Sequence, residues 1–112
     1  MSSAQTPAYV RLYHGTDIIS ATDILQNGLN EQQAITAGGD GHFWATTNAA
    51  YCNWYAKPAR LEFDLPEAVL QDLLSKPFMV DHVEPGDNYD FYPASFSILN
   101  AEMTNKHVVS VP

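Results

Sequence analysis

Leu12-Tyr13-His14-Gly15-Thr16 sets an imidazole, a glycine and a hydroxyl at the end of an apolar stretch. A second run, Gly39-Asp40-Gly41-His42-Phe43-Trp44-Ala45-Thr46-Thr47-Asn48, is a glycine-rich turn that opens into aromatic residues. These residue types suit one kind of work. Glycine lets a ligand reach backbone N–H and C=O groups because nothing on its α-carbon blocks approach. Histidine and threonine hydrogen-bond hydroxyls. An aromatic face stacks on a flat ring and tolerates positive charge on it.

Tyr13-His14-Gly15-Thr16 resembles the His-Gly-Thr/Ser motif of the ADP-ribosyltransferase superfamily, and Gly41-His42-Phe43-Trp44-Ala45 resembles that family's second motif. The resemblance implies NAD as a substrate, with no metal. Cleaving the nicotinamide–ribose bond passes through an oxocarbenium-like ribosyl cation, so the protein must grip the carboxamide, orient the ribose and stabilise developing positive charge. On this resemblance His14 holds a ribose hydroxyl, Gly15 clamps the carboxamide and Thr16 supports the loop. Phe43 takes the stacking position, and Tyr51 or Trp54 supplies a second ring from the following helix. His42 has two readings: the second histidine that a subset of the superfamily uses, or a side chain facing solvent at a strand edge.

The third motif departs from the family. Active transferases usually carry a glutamate at the start of a late strand, and the stretch matched to it, Tyr92-Pro93-Ala94-Ser95-Phe96-Ser97-Ile98-Leu99-Asn100, has none. Ser95, Phe96 or Ser97 takes the place according to register, and Glu102 is the nearest carboxylate in sequence. The expected catalytic set is therefore His14, His42 and Glu102, with Ser97 added to the NAD-binding residues. The resemblance implies a toxin-like, NAD-dependent mono-ADP-ribosyltransferase, with an antitoxin or immunity protein as a neutralising partner. An NAD glycohydrolase on the same scaffold stands beside it, as does an inactive module that binds NAD, ADP-ribose or a protein.

Other chemistries find little support. The four histidines, His14, His42, His82 and His107, are too dispersed for a zinc spacing, and Cys52 has no CxxC partner. Gly38-Gly39-Asp40-Gly41 is not followed by the Lys-Ser/Thr of a phosphate-binding loop. Asp81-His82-Val83-Glu84-Pro85-Gly86-Asp87 lacks the spacing of a calcium loop.

The composition sets the frame for these motifs. The 112 residues amount to one domain, 46% of them apolar, enough for a core without staples. The formal charge of −8, with only Arg11, Lys57, Arg60, Lys76 and Lys106 as basic residues, opposes binding to phosphate backbones and favours a protein acceptor over nucleic acid. A single cysteine fits a reducing compartment. The opening residues lack the basic start and apolar core of a secretory signal, and no run approaches the roughly 20 apolar residues of a membrane span. The expectation is a cytoplasmic protein, or one exported without a classical signal, with no membrane partner.

The elements that must position the motifs follow from periodicity. Residues 1–7 read as a flexible lead-in to a single domain over 8–112. A strand is predicted over Ala8–Tyr13, then a helix capped by Ser20 with Gly28 past its end. A loop over 30–41 leads to a strand over His42–Thr46 and a helix from Asn48 to Ala56, closed by Pro58. Ala59–Leu65 alternates as a half-buried strand, and Pro66 opens a third helix ending near Lys76. Residues 76–90 read as turns, and strands are expected over Ser95–Leu99 and His107–Val111. The sum is an α+β fold, a split, mostly antiparallel ADP-ribosyltransferase-like sheet flanked by two or three helices.

Overall fold

The computed structural model describes residues 8–32, 41–50, 58–83 and 87–110. They form an α+β domain with one six-stranded sheet, antiparallel throughout, and three helices of defined extent. In chain order these are β1 (Tyr9–Thr16), α1 (Ile18–Asn27), β2 (Phe43–Thr46), β3 (Ala59–Pro66), α2 (Glu67–Leu74), β4 (Val80–Val83), β5 (Asn88–Phe91), α3 (Phe96–Glu102) and β6 (Thr104–Ser110), with a 3-10 turn over Pro93–Ser95 before α3. The strand order is β4-β5-β2-β1-β3-β6, which seats the two motif strands side by side at the centre.

The core follows from alternation. In β3, Ala59, Leu61, Phe63 and Leu65 are buried, while Arg60, Glu62 and Asp64 are half-buried on the other face. On β1, Leu12 lies opposite Phe63 and is fully buried. Phe43 and Ala45 of β2 and Tyr89 and Phe91 of β5 continue the same apolar face. The helices cover it with Ala21 from α1, Leu70 and Leu73 from α2, and Phe96 and Leu99 from α3, followed by Met103. The uncovered face carries an ion network in which Arg11 meets Asp64 at 2.9 Å and Arg60 meets Glu62 at 2.7 Å, with the Arg60 guanidinium 5.7 Å from the Tyr13 ring centre.

Several predicted elements shift. The first strand runs on to Thr16, so His14, Gly15 and Thr16 are part of β1 and pair with Leu61, Arg60 and Ala59. The N-cap of α1 is Asp17, not Ser20; its carboxylate accepts the Ser20 backbone N–H at 2.7 Å and the Ser20 hydroxyl at 2.9 Å. Gly28 ends that helix as expected, at φ 83°. The turn-rich stretch holds two short strands, β4 and β5. The strand expected over Ser95–Leu99 is instead helical, because Pro93 suits a helical start and Phe96, Leu99 and Met103 bury one face at helical spacing. The expected helix after Asn48 lies largely outside the described residues, although the Asn48 side chain does accept the Ala50 N–H at 3.0 Å. Among the described residues no helix is long and apolar enough to cross a membrane.

Two positions hold the frame where elements join. A β-bulge between Glu62 and Asp64 interrupts the β3–β6 ladder, and Asn105 takes φ 52° beside it while its amide donates to Asp64 at 3.1 Å. The end of α1 is tied to α3 by one side chain: Asn100 accepts the Leu29 N–H at 2.7 Å and donates to the Leu29 carbonyl at 3.0 Å.

Candidate functional site

The end of β1 and the start of β2 meet at the same end of the sheet because the strands are antiparallel. Only one residue pair, Tyr13 with Thr46, is in register between them. Beyond it the strands part, and a side chain takes the place of the ladder: His14 Nδ1 lies 2.5 Å from the Trp44 carbonyl oxygen. A carbonyl only accepts, so Nδ1 carries the proton, and in the neutral ring Nε2 is then the acceptor nitrogen. The His14 ring lies against Phe43, with centroids 4.4 Å apart and planes tilted by 36°.

Phe43 is seated differently from a ligand-stacking ring. It is 3% exposed, with His14 on one side and Phe63 and Phe91 at 5.9 and 6.1 Å. A planar ligand would have to displace the His14 ring to reach it. The exposed aromatic of β2 is its neighbour Trp44, 47% open to solvent. Gly41, at φ 89°, delivers the chain into β2 from a backbone region that side-chain-bearing residues rarely adopt.

His42 is not a solvent-facing edge residue. Its Nδ1 lies 2.9 Å from both carboxylate oxygens of Asp90, and its ring lies 4.4 Å from that of Tyr92. The Tyr92 hydroxyl in turn donates to Asp81 at 2.5 Å. This bond to Asp81 is the first reason the phenol is held above its ordinary range, with desolvation and the charges of Asp81 and Asp90 adding to it. Asp90 lies opposite Trp44 in the β2–β5 ladder, on the face away from Phe43 and Phe91. The two histidines therefore serve different faces: His14 packs toward the core side, His42 on the polar side.

Glu102 and His14 are not brought together. Glu102 ends α3 two residues before Thr104, which pairs with Asp64, which pairs with Arg11. That level is three residues back along β1 from His14, about 10 Å at the strand rise. Ser97 is exposed in the first turn of the same helix. Tyr51 and Trp54 lie outside the described residues. A shallow depression lined by Ala8, Pro66, Glu67, Ala68 and Gln71 also sits at the far end of β1 from His14.

The carboxylate that sequence reasoning missed is Asp90. Its signal was the alternation Asn88-Tyr89-Asp90-Phe91, with aromatic residues at every second position, read as part of a turn because proline and glycine precede it. Among the described residues no group of three or more His, Cys, Asp or Glu side chains is placed to hold a metal ion. Comparison of the chain with protein-family models, curated proteins and solved structures returned no match.

Proposed function

We propose that this domain is an NAD-dependent mono-ADP-ribosyltransferase built on an ADP-ribosyltransferase-like version of the antiparallel α+β fold. The observation that carries the reading is the parting of β1 and β2 beyond Tyr13–Thr46, with His14-Gly15-Thr16 on one lip and Gly41-His42-Phe43-Trp44 on the other. In this reading NAD lies along that gap. His14, oriented through its bond to the Trp44 carbonyl, accepts a ribose hydroxyl at Nε2. Gly15 gives the carboxamide access to backbone, and Thr16 adds a hydroxyl at the same lip. The flat ring of nicotinamide rests against His14 or Trp44, not Phe43, whose burial leaves no open face.

The carboxylate of this reading is Asp90 in place of Glu102. It stands on the strand paired with β2, and its bond to His42 Nδ1 orients that imidazole for proton transfer, as a carboxylate does for any histidine it binds. The charge of −8 favours a protein acceptor.

One observation favours a second reading, a binding module without catalysis: the position of Glu102 away from His14. NAD labelled in its adenosine half separates these cases. Label transferred to protein supports the transferase, and label released as free ADP-ribose supports a glycohydrolase. Intact NAD that nevertheless binds supports the module.

A further inference from the structure

We infer that the polar face of β2, β5 and β4 is a docking surface for an arginine-bearing segment of a partner protein, whether or not NAD is cleaved in the gap beside it. Three aromatic side chains stand on or beside this face. Trp44 is 47% exposed, Phe78 is 75% exposed, and Tyr92 stands edge-on to Phe78 at 6.2 Å while its ring covers His42. Phe78 holds φ at 59°, a region where bulky residues are rare, so the chain keeps a large apolar ring in solvent in a conformation it does not favour. Tyr92 is fixed as well: its N–H donates to the Met79 carbonyl at 2.9 Å, and its hydroxyl donates to Asp81.

The carboxylates beneath these rings are Asp81 and Asp90, the second of them held by His42 Nδ1. Trp44, Asp90 and Asp81 lie directly opposite one another across three strands, so they form a row on one face about 10 Å long. Strands β2, β4 and β5 hold Asp81 and Asp90 and no lysine or arginine, whereas Arg11, Arg60 and Lys106 sit on β1, β3 and β6. An exposed aromatic surface over carboxylates matches a guanidinium better than any other side chain. Its plane stacks on aromatic faces while its N–H groups reach carboxylate oxygens, and it gives up hydration more readily than an ammonium. A neutral apolar partner would cover Asp81 without supplying a counter-charge, and an acidic one would be repelled.

The test uses a fluorescein-labelled peptide of alternating arginine and glycine, followed by anisotropy at near-physiological salt, with a glutamate–glycine peptide beside it. Trp44→Ser and Phe78→Ser leave the charge unchanged and remove exposed rings, so circular dichroism should be that of the parent. Each should weaken the arginine peptide about five-fold or more, the worth of one cation–π interaction at a partly covered site. Asp72→Asn, on α2 away from this face, should change it by less than about two-fold, since a single exposed charge is screened at that salt. Serine variants that bind like the parent, or an Asp72→Asn loss as large as theirs, would overturn the proposal, because overall negative charge would then account for the attraction.

Discussion

Replacing Asn100 with alanine should loosen the joint between α1 and α3 by a predictable amount. Its amide accepts the Leu29 N–H at 2.7 Å and donates to the Leu29 carbonyl at 3.0 Å, so the substitution removes two neutral hydrogen bonds at a partly buried place. At roughly 1 kcal/mol for each, the loss is about 2 kcal/mol. For a domain of this size that lowers the melting temperature by about 8–16 °C. The same joint fixes Gly28. Its φ of 83° with ψ of −177° belongs to a region almost reserved for glycine, and a Cβ there would stand 2.8 Å from Asn100 Oδ1 and 3.0 Å from Asn100 Cγ. Gly28→Ala therefore combines backbone strain of about 1–3 kcal/mol with displacement of the amide, and should cost more than Asn100→Ala. In the double variant the amide is already gone, so the combined cost should fall short of the sum by about 1–2 kcal/mol. Urea unfolding of the four proteins measures this, with midpoints moving and slopes unchanged. Strict additivity, or an Asn100→Ala cost below about 0.5 kcal/mol, would refute the clamp.

Three further outcomes follow from single side chains. Asp17→Ala should cost about 1 kcal/mol as a lost helix cap, whereas Asp17→Asn keeps an acceptor and should cost only the part that depends on the charge. The carboxyl of Asp17 is held below its ordinary value chiefly by the Ser20 backbone N–H, so its charged form contributes stability that is present above the unfolded value and fades as pH falls through the folded one. The gap between wild type and Asp17→Asn, measured by urea unfolding, should therefore close below about pH 4. Tyr89 is pushed the other way, by burial first and then by Asp87, so its neutral form stabilises the fold until pH rises past its raised value; Tyr89→Phe should flatten the loss of stability above about pH 10 in thermal scans. Phe43→Ala should cost about 3–5 kcal/mol of folding stability, as a core truncation between Phe63 and Phe91, and a calorimetric melt near that of wild type would contradict its burial.

The legible parts of the chain were those where local pattern and tertiary environment agree. Leu61, Phe63 and Leu65 alternate against charged residues, so β3 could be read directly. Gly28 marked a helix end because only glycine suits its backbone. Ser20 drew attention as a cap, yet the strand ran on to Thr16, which left Asp17 at the boundary and Ser20 as its donor. Ser95–Leu99 misled through its aromatic and branched residues; what decided its conformation was the core waiting for Phe96, Leu99 and Met103 on one side. The strands β4 and β5 have four residues each, too short for periodicity to outweigh the proline and glycine between them. With β5 hidden in that way, Asp90 was hidden too, and Glu102 stood as the nearest carboxylate in sequence. His14 was legible from its motif, but its bond to the Trp44 carbonyl depends on where two strands part, which no local spacing encodes.

The proposed seating of NAD in the gap that His14 spans is tested most directly by calorimetric titration of NAD into wild type and His14→Ala. Losing the ring removes a hydrogen-bonding partner and one wall of the gap, so His14→Ala should bind NAD at least about ten-fold more weakly, the cost of one hydrogen bond left unmade. A His14→Ala protein that stays folded and binds NAD as wild type does, or a wild type that shows no NAD heat at millimolar concentration, would contradict the account.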